Sequence, residues 1–319
     1  QGTAIKSGYV ITNRPLSFSY SYLLNVELSF EHDDKNFKAI DRFREIGFER
    51  NWSYTPEQDI EPVNDNISIG KIALIKDENN TISYRISNRN RESTFEGTQH
   101  HAAWNQSFGE IQMKSNFFNL NSSFLNTKSK WQKLQTDVSW HNRLFTPGYI
   151  YRFDKNSVYH SASDSLLGGV MNFDEHSFYI TNKEDSEHTY RLEYSLREDR
   201  VPNNGELVNN TLAQTLSLNS ESNIGTNHLL RSQLIYRKVE YQLEQENDEN
   251  LMGRVEWQGQ LLDNHVRSTV NYSLGSGREL KREFVYVEVP LGQGTHAWRD
   301  LNNDDIQDLN EFFIAINPD

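Results

Sequence analysis

The sequence predicts an all-β protein, a broad antiparallel meander of about fourteen strands in a rolled or sandwiched sheet with few or no helices. The longest ribbon has an apolar residue at every second position for about fifteen residues, the period of a strand with one apolar face. Its apolar side chains are Leu16, Phe18, Tyr20, Tyr22, Leu24, Val26, Leu28 and Phe30. Helical periodicity is weak throughout.

Shorter ribbons repeat this alternation at 190–197 and 266–274. Short polar segments rich in Asn, Asp, Glu, Gly and Ser separate the ribbons, and such segments favour tight hairpin turns. Asp77-Glu-Asn-Asn80 is one example, predicted to join strands near 67–76 and 81–88. Because the links are this short, neighbouring strands are predicted to be antiparallel, and βαβ crossovers are not expected.

We predict a single large β domain over 1–319, interrupted by a non-strand insertion at 41–66. The insertion lacks alternation and contains a run of charged residues followed by Pro56 and Pro62. Proline cannot donate a ladder hydrogen bond, so two prolines in a short segment argue against a central strand.

The composition excludes some partners. Asp and Glu number 45 against 32 Lys and Arg, giving a formal net charge of −13. A nucleic-acid backbone and an anionic membrane surface both require a basic footprint, so we expect no nucleic-acid partner and no anionic membrane surface as the main partner. An acidic chain is compatible with binding of a cation.

The chain contains no cysteine, which excludes a disulfide framework and a thiol nucleophile. No apolar run approaches the ~20 residues of a membrane-spanning helix. The chain begins at Gln1 without a signal-peptide pattern, so any signal peptide has been removed or was never part of this sequence, and from the ending at Asp319 we expect a fragment of a longer chain.

A one-sided meander can bury its apolar face by rolling up in water or by facing lipid in a barrel. Charged residues occur in both phases of the ribbon 229–243, with Arg231 and Arg237 in one and Lys238 and Glu240 in the other. A Lys or Arg on a lipid face costs roughly 2–4 kcal/mol at the bilayer midplane. This pattern favours the rolled or sandwiched sheet but leaves the barrel open.

One 12-residue segment near the C-terminus has the spacing of a calcium-binding loop. Oxygen-bearing side chains occupy loop positions 1, 3, 5, 9 and 12, and position 7 contributes a carbonyl. The predicted ligands are Asp300, Asn302, Asp304, Ile306, Asp308 and Glu311. The predicted cofactor is therefore Ca²⁺, with a structural role.

This loop departs from the usual pattern in two ways. Position 6, normally Gly because it requires a positive φ, is Asp305, and Pro290, Gly292 and Gly294 precede the loop where an entering helix would be expected. The loop is predicted to be isolated rather than one of a sensing pair. The alternative is an acidic surface turn stabilised by Asx hydrogen bonds.

Catalytic motifs are absent from the sequence. No Gly-rich phosphate loop, G-x-S-x-G or H-E-x-x-H occurs, and no catalytic residue is predicted. His100 and His101 are adjacent on a predicted strand, so their side chains should point to opposite faces and cannot share a metal. The other histidines show no zinc spacing.

Aromatic residues in the ribbons allow a sugar-stacking platform as well as ordinary strand packing. The candidates are Trp104, Trp131, Trp140, Trp257, Tyr194, Tyr236 and Tyr272. A polysaccharide-binding or polysaccharide-cleaving domain would need these side chains on an open groove beside two carboxylates.

Segment 41–52 resembles an R-F-R-x-x-E-F-x-R-x-W pattern, and segment 290–315 resembles G-x-Y-x-W-x-D-x-N-x-D-G-I-x-x-x-N-E-F-x-x-A. Together the two patterns resemble those of very large, β-rich cell-envelope or outer-membrane-associated proteins of Bacteroidota-type bacteria. The resemblance covers about 40 residues, and this chain departs from it at Ile46-Gly47, His296 and Asp305. It implies an extracytoplasmic location, at the outer membrane or cell surface, and no particular activity.

These observations lead to three hypotheses of function. The first is a non-enzymatic structural or binding module of the bacterial cell envelope, stabilised by a Ca²⁺ loop. The second is a segment of an outer-membrane β-barrel involved in transport or docking, and the third is the polysaccharide-active domain. The expected partners are other envelope proteins or surface polysaccharide, with membrane association through the rest of the parent chain.

Overall fold

The structure is a computed structural model of the 319-residue chain. It describes residues 2–16, 19–37, 44–45, 47–54, 62–167, 172–182, 186–225, 227–242, 247–261, 265–276, 296–300 and 311–314. Residues 1–277 and 278–319 form two compact units, which are described separately.

The first unit is one antiparallel sheet of fourteen strands, each hydrogen-bonded to its neighbours in chain order from β1 to β14. The strands are β1 Ala4–Leu16, β2 Ser19–Asp33, β3 Asp65–Asp77, β4 Asn80–Arg91, β5 Phe95–Phe108, β6 Ile111–Phe124, β7 Thr127–Trp140, β8 Phe145–His160, β9 Asn172–Asn182, β10 His188–Asn203, β11 Glu206–Ile224, β12 His228–Tyr241, β13 Asp248–Leu261 and β14 Val266–Ser276. The all-β antiparallel prediction is confirmed, including the number of strands.

The predicted hairpins follow from local turn chemistry. At the β3–β4 turn Asp77 pairs with Asn80, and the Asp77 carboxylate accepts hydrogen bonds from the Asn79 backbone N–H at 2.9 Å and the Asn80 amide at 2.8 Å. The β5–β6 turn contains Gly109 with φ +63°, a conformation that disfavours a side chain. The alternation of the sequence also predicts a strand at 279–289 after Gly275-Ser-Gly277, and this segment lies outside the described residues.

The turns define the two ends of the sheet. We call the end that contains Asp65 and the β4–β5, β6–β7 and β10–β11 turns the Asp65 end. The opposite end, with the β3–β4 and β5–β6 turns, is the Gly109 end.

Within the predicted insertion at 41–66, the described residues include one helical turn, α1 Phe48–Asn51, followed by Trp52 and Tyr54. Both aromatic rings are 4% exposed, because they pack on the sheet at the Asp65 end. The buried cluster consists of Trp52, Tyr54, Phe95, Leu120 and Phe124, with Phe48, Phe118 and Trp131 packed against it.

This cluster has specific geometry. The Tyr54 ring meets the rings of Phe95 and Phe124 edge to face, with centroids 5.3 and 4.8 Å apart, an arrangement that aromatic pairs favour. A Cβ at Gly97 would lie 2.9 Å from the Phe95 ring and 3.0 Å from that of Trp52, so this position suits glycine. The Gln99 amide donates to the Asn51 carbonyl at 2.7 Å and fixes α1 to β5.

The second unit contains a short antiparallel hairpin of β15 His296–Trp298 and β16 Phe312–Ile314. Its pairs are His296 with Ile314, Ala297 with Phe313 and Trp298 with Phe312.

We expect Trp52→Ala to lower the free energy of unfolding by about 3–5 kcal/mol, because truncating a buried aromatic side chain leaves a cavity. Denaturant unfolding followed by circular dichroism measures the change. Tyr190→Ala is the matched control, since Tyr190 lies on a strand of the same sheet but is 50% exposed. Equal losses in the two variants would contradict the assignment of the core.

Candidate functional site

The hairpin of the second unit closes the base of the predicted calcium loop. The Arg299 N–H donates to the Glu311 carbonyl at 3.0 Å, so loop positions 1 and 12, Asp300 and Glu311, lie next to this closing bond. The Glu311 side chain is 1% exposed, and its Oε2 accepts the Trp298 Nε1–H at 3.0 Å. The predicted ligand at position 12, Glu311, is therefore buried beside the hydrogen bond that joins the two ends of the loop.

The other four predicted ligands, Asn302, Asp304, Ile306 and Asp308, lie outside the described residues. Within the described part of the chain, no group of three or more His, Cys, Asp or Glu side chains is placed to hold a metal ion. The calcium site stays a prediction.

The fourteen-stranded sheet has two chemically different faces. Residues paired across strands point to the same side, so the register assigns every strand position to one face. We call the side that carries Ile72, Tyr84 and Leu192 the apolar face, and the opposite side, which carries Arg89, Leu120 and Glu193, the polar face.

The apolar face carries the exposed hydrophobic side chains. All large hydrophobic residues of β1–β14 with high exposure point to this side, except Val10 and Met252. They occur from Ile5 on β1 to Leu274 on β14, and the exposure of Tyr272 and Leu274 reaches 63%. This continuous apolar surface crosses the whole sheet, and such a surface marks an interaction site.

The polar face carries most of the paired charges. Its ion pairs include Arg191–Glu193 at 2.7 Å, Arg197–Asp199 at 2.6 Å and Arg231–Glu221 at 2.8 Å. The buried apolar side chains of the strands are also on this side, namely Ile67, Ala73, Phe95, Leu120, Phe124, Ile150, Tyr179, Ala213 and Val239. The polar face therefore carries both the paired charges and the buried apolar side chains of the strands, while the apolar face carries the exposed hydrophobic side chains.

Charges on the apolar face gather at the Asp65 end. Lys155 and Arg200 both contact Asp174, at 3.2 and 2.5 Å, and Lys238 contacts Glu240 at 2.7 Å. Lys238 and Glu240 are the charges that argued against a lipid-facing surface in the ribbon 229–243. They lie at the end of β12, beyond the apolar positions Leu234 and Tyr236, while Arg231 and Arg237 are on the polar face.

The apolar residues form a belt that runs obliquely across the strands. The cross-strand row that contains Ile72 and Tyr84 ends at the charged Asp174 and Glu198 on β9 and β10. On β14 the belt occupies 266–274, closer to the Gly109 end. Strands tilted by about 35–45° to a bilayer would shift a level belt by on the order of one residue per strand, which is the scale of this shift.

The prediction that His100 and His101 point to opposite faces of a strand is confirmed. His100 is on the apolar face, where its Nδ1 lies 2.6 Å from the Tyr84 hydroxyl, and His101 is on the polar face between Arg85 and Phe118 in register.

The predicted aromatic platform is split between the faces. Trp131 is on the polar face, where its Nε1–H donates to Asp154 at 2.6 Å. The other six candidates are on the apolar face, among them Trp104 at 39% and Trp140 at 46% exposure. Most of the platform therefore belongs to the same surface as the aliphatic residues.

Sequence reasoning missed a buried charge network at the Asp65 end of the polar face. Arg89 is 1% exposed and donates to Asp65 at 2.6 Å and to Glu49 of α1 at 2.5 Å. Arg44, also from the insertion, contacts Asp33 at 2.5 Å and Glu31 at 2.7 Å. These contacts tie the insertion to β2, β3 and β4.

The guanidinium of Arg89 also lies over aromatic rings, 4.8 Å from the centroid of Phe48 and 5.4 Å from that of Tyr54. A planar guanidinium satisfies two carboxylates and stacks on rings at the same time, which Lys cannot do. The alternation of β4 places Arg89 on the buried face, but its partner Glu49 is 40 residues away, so no local pattern connects the two.

Outside the network, the Asp34 carboxylate in the turn after β2 has a pKa below its ordinary value, chiefly because it accepts the Asn36 backbone N–H at 2.8 Å. This hydrogen bond stabilises the turn that leads into the insertion.

No helix in the described residues is long and apolar enough to cross a membrane.

We expect Arg89→Gln to lower the free energy of unfolding by about 3–5 kcal/mol, because it leaves Asp65 and Glu49 without their buried partner. Equilibrium unfolding in denaturant measures the loss. Arg231→Gln removes an ion pair whose side chains are 48% and 47% exposed, so its loss should stay below about 1 kcal/mol. An Arg89→Gln protein as stable as Arg231→Gln would contradict a structural role for the network.

Comparisons with known proteins gave no match. No protein-family model matches the sequence, no curated protein matches it, and no solved structure matches the fold.

Proposed function

We propose that this chain is a segment of an outer-membrane β-barrel involved in transport or docking, with its apolar face toward lipid. The observation that carries this proposal is the distribution of exposed hydrophobic residues, almost all of which lie on one face of a single sheet. In water such a surface would drive aggregation, whereas a bilayer accepts it.

The dimensions of the belt support this function. The apolar positions of β14 run from Val266 to Leu274, nine residues or about 27 Å along the strand. A strand that crosses the hydrocarbon core needs roughly 9–11 residues. The ion pairs of the apolar face lie toward the Asp65 end of the strands, where a headgroup region would accommodate them.

The polar face supports the same function. Paired charges such as Arg191–Glu193 and Arg231–Glu221 would face the interior of a barrel, which is polar in proteins of this kind. The insertion residues around Trp52 also pack on this side, so they would lie inside.

A rolled module in water, favoured by the charge pattern of the sequence, would bury the apolar face and expose the polar one. In the described strands the exposed large hydrophobic side chains lie mostly on the apolar face, which supports a lipid-facing surface over such a module. The outer-membrane location fits this function and the resemblance of segments 41–52 and 290–315.

Leu218→Arg should impair insertion into lipid, because an Arg near the centre of a lipid face costs about 2–4 kcal/mol. Leu218 lies on the apolar face between Leu192 and Leu234. Folding into phospholipid vesicles, followed by flotation, measures the change.

Ser217→Arg is the matched control, since Ser217 is the next residue, points to the polar face and pairs in register with Glu193. It should insert like the unmodified chain. Equal insertion of both variants, or a chain that stays monomeric and dispersed without detergent, would overturn the lipid-facing proposal.

The calcium loop would act as a structural clamp in this setting. We propose that Ca²⁺ binds Asp300, Asn302, Asp304, Ile306, Asp308 and Glu311, because the hairpin holds the two ends of the loop together. The burial of Glu311 supports this assignment, since an oxygen ligand at position 12 closes such a loop.

Millimolar Ca²⁺ should raise the melting temperature over that in EDTA. A ligand at ~100 times its Kd adds roughly 2.7 kcal/mol to the unfolding free energy. Glu311→Gln should abolish the shift while its amide oxygen still accepts the Trp298 hydrogen bond. Glu187→Gln, a change of the same kind at an exposed position before β10, should leave it intact. A melting temperature unaffected by Ca²⁺ in the unmodified chain would reduce the loop to an acidic turn.

A further inference from the structure

A shallow cavity opens on the apolar face at the Asp65 end of the central strands. Its volume is about 440 Å³, and β5, β6, β7 and β8 form its walls. The side chains that line it from this face include Glu96, Thr98, Asn121, Lys128, Lys130 and Tyr159.

The two lysines of this cavity differ from other cations of the same rim. Neither Lys128 nor Lys130 lies within ion-pair distance of an acidic group among the described residues, whereas Lys155 contacts Asp174 and Lys238 contacts Glu240. The Tyr159 hydroxyl likewise has no hydrogen-bond partner in the described part of the chain. Three donors therefore face one cavity, and the two lysines outnumber its single carboxylate, Glu96.

The cavity lies just beyond the apolar belt. On β7 the apolar-face positions run from Leu134 through Gln132 to Lys130 and Lys128. Lys130 is four residues from Leu134, about 13 Å along the strand, which places its ammonium group at headgroup depth when Leu134 contacts acyl chains. A lysine stem can lie along apolar surface while its charge stays in the polar layer.

We propose that this cavity binds the phosphate of an anionic lipid headgroup. Lys128 and Lys130 ion-pair with the phosphate oxygens and the Tyr159 hydroxyl donates to one of them. The acyl chains lie on the belt row of Ala102, Phe117, Leu134 and Phe153, which one polar row, containing Asn119 and Gln132, separates from the cavity. This inference rests on the proposed lipid-facing function and identifies the lipid that one part of the surface selects.

The belt row of Leu134, two same-face positions along β7 from Lys130, favours a lipid over free phosphate. Free phosphate would gain only the charged contacts, and in water exposed contacts of this kind are weak. A lipid adds the burial of its chains against Phe117, Leu134 and Phe153, so both parts of one molecule are satisfied at the same place.

The test uses the full chain in vesicles of phosphatidylcholine with phosphatidylglycerol as the minor component. After extraction in mild detergent, the ratio of the two lipids retained by the protein is compared with that of the starting vesicles. The unmodified chain should retain phosphatidylglycerol preferentially, and Lys128→Gln with Lys130→Gln should reduce the enrichment about tenfold, since each cation near an anionic surface contributes substantially.

The matched control is Lys133→Gln with Lys238→Gln, which removes the same charge from lysines that have acidic partners. This control should keep the enrichment of the unmodified chain. Equal loss in both double variants would show a general charge effect and overturn the site.

The lipid source and the underlying function are tested separately. Excess inorganic phosphate during extraction should leave the enrichment intact, and its displacement of phosphatidylglycerol would overturn the assignment to a lipid. If the chain inserts into pure phosphatidylcholine but retains no excess of phosphatidylglycerol from the mixed vesicles, the cavity site alone is overturned. Failure to insert into either lipid would overturn the proposed function, and with it the inference.

Discussion

The hydrogen-bond ladder that joins β1 to β14 without interruption is the constraint on which the rest of this structure depends. Each strand pairs with the next one along the chain, so within this sheet no strand crosses over to a non-adjacent position. Because side chains alternate along every strand, a single ladder separates the residues into two surfaces. The contrast between the apolar and polar faces follows from this pairing and from the alternation in the sequence.

The polar face acquires its buried core from the insertion rather than from a second sheet. Trp52 and Tyr54 cover Phe95, Leu120 and Phe124, and the contacts of Arg89 with Asp65 and Glu49 hold this cover in place. Burying an arginine is costly unless its charge is paired, so two carboxylates and the surrounding rings are needed together. The cover occupies only the Asp65 end of the described strands.

Much of the fold could be predicted from the sequence, since alternation and polar turns are local signals. They gave the number of strands and the antiparallel pairing, and they placed His100 and His101 on opposite faces. The face of Lys238 was also visible in the alternation. The position of Lys238 relative to the apolar belt was not visible, because it depends on the register of twelve successive strands.

The candidate site was harder to predict from the sequence, also because it depends on contacts between distant residues. The predicted calcium ligands are contiguous, so spacing alone could suggest them, and the structure adds the closing bond between Arg299 and Glu311. The Arg89 network and the Lys128–Lys130 cavity join residues from distant parts of the chain. A single sequence contains no signal that pairs Glu49 with Arg89 or Tyr159 with Lys130.

The oblique belt links the lipid-facing proposal to the edges of the sheet. In the described residues β1 and β14 each have one hydrogen-bonded neighbour, so each presents a row of backbone groups on its other side. An unsatisfied backbone group costs several kcal/mol in hydrocarbon, so an open edge of eleven or more residues is incompatible with a bilayer. If the apolar face contacts lipid, each edge must be paired with a strand there, either the opposite edge or a further strand. Any such strand must continue the shift of the belt from strand to strand. An abrupt change in the position of the belt would place charged side chains such as Asp174 among the acyl chains.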